Sequence, residues 1–166
     1  MLNGFWYFSC ARVTYSEHFA ALLGQYPDVD IMWNSLLESE WCTNWRYLAA
    51  WQRILAVRNN LSYWADLYEK TSASGIEIVC FSDLSYPLLL KEIYAAPLVL
   101  FVKGNVQLLT NESSLAVVGT RQASPYGQLI AQRIVEAVLP ATVLVSGLAF
   151  GIDTVVHQTC LAEQGN

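Results

Sequence analysis

The 166-residue chain reads as an α/β protein, a partial parallel sheet with helices on both faces preceded by a small all-helical part. Two observations predict this. Up to Ala73 the apolar spacing is helical throughout. Beyond Gly75, short and nearly unbroken apolar runs rich in β-branched residues alternate with helical stretches, the pattern of strands buried in a parallel sheet. The expected division is therefore 1–74 for the helical part and 75–166 for the α/β part.

In order along the chain, "SEHFAALLGQY" has Ser16 as an N-cap and Phe19, Leu22 and Leu23 on one face. "DIMWNSLL" is a second short helix. The third, "WCTNWRYLAAWQRILAVRNN", carries Trp41, Trp45, Leu48, Trp51 and Leu55 at spacings of three and four. The fourth, "LSYWADLYEKTSASG", is expected to start with Ser62 as N-cap and to close at Gly75. Then come a strand in "IEIVCF", a turn and short helix in "SDLSYPLLLKEI", and a strand in "APLVLFVKGN". A third strand, "SLAVVG", is followed by the helix "SPYGQLIAQRIVEAVL", the strand "ATVLVSG" and a last helix opened by "LAFGID".

The composition narrows the function. With 54% hydrophobic and 14% charged residues the chain has a core to bury and is not disordered. No apolar run reaches the roughly 18 to 20 residues needed to span a bilayer. The apolar opening "MLNGFWYFSCARV" lacks a basic flank and stops early, so a cytoplasmic protein with no membrane contact is expected. Cys10, Cys42, Cys80 and Cys160 are widely spaced, which excludes a zinc knuckle or a C-x-x-C redox motif and predicts buried, reduced thiols. Net charge is −5, and through Ala95 there are 6 basic and 10 acidic residues against 3 and 4 beyond it. An anion site in the second half would thus rest on one or two arginines and backbone N–H groups, not on a basic face. Six tryptophans could stack on bases, but an aromatic stripe at helical spacing is read first as core.

Two glycine loops carry the chemistry. "AVVGTRQASPYG" runs from a strand into a helix, where helix N–H groups and the macrodipole face the carboxyl end of the sheet. It has only Gly119 and Gly127, eight apart, so neither a G-x-G-x-x-G dinucleotide fingerprint nor a Gly-Lys-Ser/Thr P-loop is present, and no cofactor is expected. Arg121 offers a bidentate phosphate contact instead. "VSGLAFGID" repeats the arrangement at the next strand end. There Asp153 and His157 share a helix face; with no third ligand and no nucleophile beside them, they are expected to pair with each other rather than bind a metal or do acid–base work.

Taken in order, "YPLLLKEIYAAPLVLFVKGN", "LAVVGTRQASPYG" and "VSGLAFGIDTVVH" resemble the successive signatures of the DNA-processing protein A (DprA/Smf) family, over roughly Ile76 to Gly165. The resemblance implies a Rossmann-like domain behind a sterile-alpha-motif-like helical domain. It also implies a non-enzymatic protein that binds single-stranded DNA and helps load the recombinase RecA in natural transformation. On it, the phosphate site falls on Gly119, Thr120, Arg121, Ser146, Gly147 and Gly151, with Lys103, Phe150, Asp153 and His157 in support. Three departures stand out. Phe150 replaces the family's arginine; it is expected to pack onto the neighbouring loop, although stacking on a base is the open alternative. "ARVTYSEHFAALL" stands where many relatives carry a Pro-Gly-Ile-Gly hairpin, which argues against DNA contact there. The chain ends within the Rossmann-like domain, before the strands and dimer surface that relatives carry, so a homodimer is expected only with that part present. Two other readings compete: a nucleotide hydrolase of the lysine-decarboxylase-like (LOG) type, whose P-G-G-x-G-T-x-x-E loop is missing here, and an inactive remnant.

Overall fold

The computed structural model describes residues 2–11, 18–19, 21, 24–26, 29–35, 48–111 and 113–164. By packing, the chain divides into two units, Met1–Thr110 and Asn111–Asn166.

The first unit is built on helix α1 (Leu2–Ala11). Trp6, Tyr7, Phe8, Ser9 and Cys10 follow one another and are all buried, as a helix in the middle of a core requires. Ser9 survives there because its hydroxyl donates to the Phe5 carbonyl one turn back, at 2.8 Å. Around α1 lie α2 (Val29–Asn34), α3 (Leu48–Arg58) and α4 (Leu61–Ala73). Trp6 stacks on Trp33 with ring centroids 4.0 Å apart, and its indole N–H donates to Asp30. Trp51 and Trp64 pack half-buried against the same core. These four tryptophans are structural, which is the outcome expected of an aromatic stripe read as core; Trp41 and Trp45 lie outside the described residues, as do Ser16, Leu22 and Leu23 of the expected helix at 16–26. Ser62 does not cap α4. The N-cap position falls on Asn60, which makes no side-chain capping bond, and Ser62 sits inside the helix. The helix closes as expected, with Gly75 at φ +71°.

Strands β1 (Glu77–Cys80) and β2 (Val99–Val102) also pack on α1. They pair antiparallel, Glu77 opposite Val102 and Cys80 opposite Val99, and so do not join a parallel sheet as their apolar runs suggest. The reason lies in the connection. A parallel crossover normally needs a long helix, and this one holds only the 4-residue α5 (Leu88–Lys91). The connection is pinned back instead: the Cys80 N–H donates to the Asp83 carboxylate at 2.7 Å and the buried Tyr86 hydroxyl to the Pro97 carbonyl at 2.7 Å. A 3-10 turn at Val106–Thr110 ends the unit.

The second unit is mixed α/β with a parallel pair, β3 (Ser114–Ala116) alongside β4 (Val143–Val145), joined by the 14-residue α6 (Pro125–Val138) and followed by α7 (Ile152–Gln164). Here the crossover helix is long enough. Its start is well specified: the Ser124 hydroxyl accepts from the Gly127 N–H at 3.1 Å and Pro125 takes the first position. Helices α6 and α7 pack against each other and bury Ala131, Val135 and Val156. The strands themselves are not buried as expected. Leu115 and Val145 are 38% and 51% exposed, because among the described residues no further strand pairs with this sheet.

Cys10 and Cys80 are buried and Cys160 is half-buried; Cys42 lies outside the described residues. Among the described residues no helix is long and apolar enough to cross a membrane.

Candidate nucleic-acid interface

Strands β3 and β4 end side by side, and each runs into one glycine loop. The Val117 N–H donates to the Val145 carbonyl at 2.9 Å, and the Ser146 hydroxyl donates back to the Val117 carbonyl at 2.8 Å. Ser146 thus spends its proton on clasping the two strand ends together.

The first loop then turns under Thr120, whose hydroxyl oxygen accepts from the Gln122 N–H at 3.2 Å. The second loop locks onto it: the Ile152 N–H donates to the Thr120 carbonyl at 3.2 Å. Two glycines permit this approach. A Cβ on Gly119 would lie 2.6 Å from Ile152 Cγ1. Gly151 has φ +86°, and a Cβ there would run into the Thr120 carbonyl oxygen and stand 2.7 Å from the Arg121 carbonyl. The sequence predicts both glycines; the part of Ile152 as the bolt between the loops shows only in three dimensions.

Asp153, in the first turn of α7, is 5% exposed. Its Oδ2 accepts from the Gly147 N–H at 3.1 Å and the Ala149 N–H at 3.4 Å, in addition to the favourable end of the helix dipole. The expected Asp153–His157 pair does not form: buried Asp153 Oδ1 and His157 Nε2 each lack a hydrogen-bond partner. The loop amides of Gly147 and Ala149 take the Asp153 carboxylate instead. The Thr154 hydroxyl, which no sequence motif singles out, completes the loop by donating to the Ala149 carbonyl at 2.8 Å.

This bonding decides which groups remain for a ligand. The N–H groups of Gly147, Ala149, Ile152 and Gln122 all have internal partners. Arg121 is exposed and, among the described residues, is the only charged side chain lining a cavity of about 320 Å³, shared with Leu148, Ala149, Phe150 and Thr154. Phe150 does not pack onto the neighbouring loop; it stands 83% exposed, and Leu148 is 80% exposed with φ +56°. Gly119, Thr120, Arg121, Ser146, Gly147, Gly151, Phe150, Asp153 and His157 all belong to this loop pair or the helix behind it. Lys103 lies in the first unit, exposed just past β2. Among the described residues no group of three or more His, Cys, Asp or Glu is placed to hold a metal.

Known proteins resemble this chain. A family profile described as DNA recombination-mediator protein A matches residues 77–166. DNA processing protein DprA of Bacillus subtilis (strain 168) is 37% identical over 92 residues, 55% of this chain and 31% of the relative. Its namesake in Streptococcus pneumoniae (strain ATCC BAA-255 / R6) is 43% identical over 83 residues, 50% of this chain and 29% of the relative. Protein Smf of Synechocystis sp. (strain ATCC 27184 / PCC 6803 / Kazusa) is 31% identical over 118 residues, 69% and 29% of the two chains. Among solved structures, the X-ray structure of DprA from Streptococcus pneumoniae superposes with a TM-score of 0.71 at 27% identity, covering 96% of this chain and 53% of that one. The matches with the curated relatives span about a third of those proteins' length. With residues 77–166 under the profile and the paired glycine loops inside that span, the chain belongs to the DNA recombination-mediator protein A family.

Proposed function

We propose that this chain is part of a DNA-processing protein that binds single-stranded DNA across the two loops, with Arg121 as the phosphate anchor. The observation that carries the reading is the state of the loops: bolted to each other through Ile152 and Thr120, they leave one exposed guanidinium lining an open cavity. A planar, always-charged fork on a fixed turn suits a backbone phosphate and carries no base specificity. Because most nearby loop amides are satisfied internally, the electrostatic part rests on Arg121 more heavily than the glycines alone suggest. The division into a helical domain at 1–74 and the first part of a Rossmann-like domain at 75–166 belongs to the same proposal, supported by a family match that starts at Glu77, although β1 and β2 pack with the first unit.

Arg121→Ala is the direct test. Losing one phosphate contact should weaken binding of every single-stranded sequence about equally and lower the salt slope by about 0.7. Filter binding across a salt series measures both. Unchanged affinity and slope in a folded variant would remove Arg121 from the interface.

The proposal extends to recombinase loading in the cytoplasm, with RecA as partner and a homodimer in the complete protein; the family's description as a DNA recombination mediator supports the recombination role. It is a non-catalytic role. Neither loop sets a nucleophile beside a base: the Ser146 proton goes to a carbonyl and the Asp153 carboxylate to two amides. Release of free base from nucleoside monophosphates, abolished by Asp153→Asn, would support a hydrolase instead.

A further inference from the structure

Phe150 has no structural work to do where it stands. It is 83% exposed, its neighbour Leu148 is 80% exposed, and both line the cavity that Arg121 shares. Exposure of one large apolar side chain is ordinary. Here two are displayed from a loop that is held still. Asp153 takes two of its N–H groups, Thr154 takes the Ala149 carbonyl, and Gly151 is wedged against the first loop. An aromatic ring on a preformed loop loses little conformational freedom when it is covered.

We infer that Phe150 is a stacking platform for one unpaired base of the strand whose phosphate Arg121 holds. The inference rests on the single-strand reading above and adds its base-contacting residue. Three features select this occupant. The cavity of about 320 Å³ is at the small end of ligand sites and matches a nucleotide-sized group. Its charge is one-sided, with Arg121 and, among the described residues, no carboxylate in the lining, so the ligand is anionic on one side and flat and apolar on the other. The second loop is also a poor phosphate cradle. Its Gly147 and Ala149 amides are consumed, and the carboxylate that consumes them lies directly behind. Phosphate therefore goes to the Arg121 side and the base to the Phe150 side. A base already paired in a duplex has its faces covered, so the platform selects single strands without reading sequence.

The test uses the whole chain, fluorescently labelled single-stranded homopolymers and a strand of equal length made of abasic sites, across a salt series. Phe150→Ala should weaken binding of the base-bearing strands roughly 5- to 150-fold, the range for one lost stacking contact. The salt slope should stay where it was, because no phosphate contact is lost. Phe150→Trp should restore binding, and the abasic strand should bind weakly and ignore both substitutions. A 2-aminopurine in the strand should change emission on binding to the unmodified chain and not to Phe150→Ala. Equal affinity of Phe150→Ala and the unmodified chain for the base-bearing strands, with normal salt-dependent binding, overturns the stacking inference alone. Failure of the unmodified chain to bind any single strand overturns the single-strand reading and the inference with it.

Discussion

Gly151→Ala should disrupt the second unit through two separable effects. At φ +86° an alanine pays the left-handed penalty of about 1–2 kcal/mol. The new Cβ also lands on the Thr120 carbonyl oxygen, with the Arg121 carbonyl carbon and oxygen both at 2.7 Å. These are backbone atoms and cannot swing aside. Relief requires the two loops to part, which breaks the 3.2 Å bond from Ile152 to Thr120, worth about 0.5–1.5 kcal/mol. Together the loss comes to about 1.5–3.5 kcal/mol. Two controls isolate the first effect: Gly75 at φ +71° and Gly104 at φ +114° have nothing within 4 Å of an added Cβ. Gly119 isolates a clash between the loops, since its φ is not positive and the three atoms nearest its Cβ would all belong to the Ile152 side chain. The readout is urea unfolding of the full chain. All six tryptophans lie at or before Trp64, so their fluorescence follows the first unit, while far-ultraviolet circular dichroism follows the helices of both. Gly151→Ala should shift the dichroism transition and spare the fluorescence one. A loss for Gly151→Ala no larger than that for Gly75→Ala would refute the contact between the loops.

Two further predictions follow from the buried groups. Asp153→Ala should cost about 1–3 kcal/mol by stranding the Gly147 and Ala149 N–H groups, with faster hydrogen exchange at both, and Asp153→Asn should cost less because an acceptor remains. Burial, with the Asp83 carboxylate adding to it, pushes the Cys80 thiol from 9.0 up to about 12, and burial drives Cys10 upward too. The fold favours the neutral thiols, so stability is full below pH 9.0 and falls as pH rises towards 12, where the unfolded chain has ionised and the folded one has not. Tm followed by tryptophan fluorescence should therefore decline above pH 9.0, less steeply in Cys80→Ala; a decline that this substitution leaves untouched would clear Cys80 of the effect.

The sequence by itself determined what local chemistry can specify. Helical spacing around Trp33 and Leu55, the closing glycine at Gly75, and the two strand–glycine–helix junctions at Gly119 and Gly151 were legible because each depends on residues near in the chain. So was the importance of Arg121 as a cation on a turn. The central helix Leu2–Ala11, apolar on every side, shows no such spacing and was not legible as a helix. Tertiary structure decided the rest, because it depends on which distant groups meet. Apolar runs do not reveal strand direction, and the short α5 together with the Asp83 and Tyr86 hydrogen bonds turned β1 and β2 antiparallel. Spacing put Asp153 beside His157, but a carboxylate goes to the nearest unsatisfied donors, and the loop amides of Gly147 and Ala149 lay within reach. Phe150 looked like a residue that would pack. Only the fold, by fixing its loop through Asp153, Thr154 and Gly151, left that ring in the open beside Arg121.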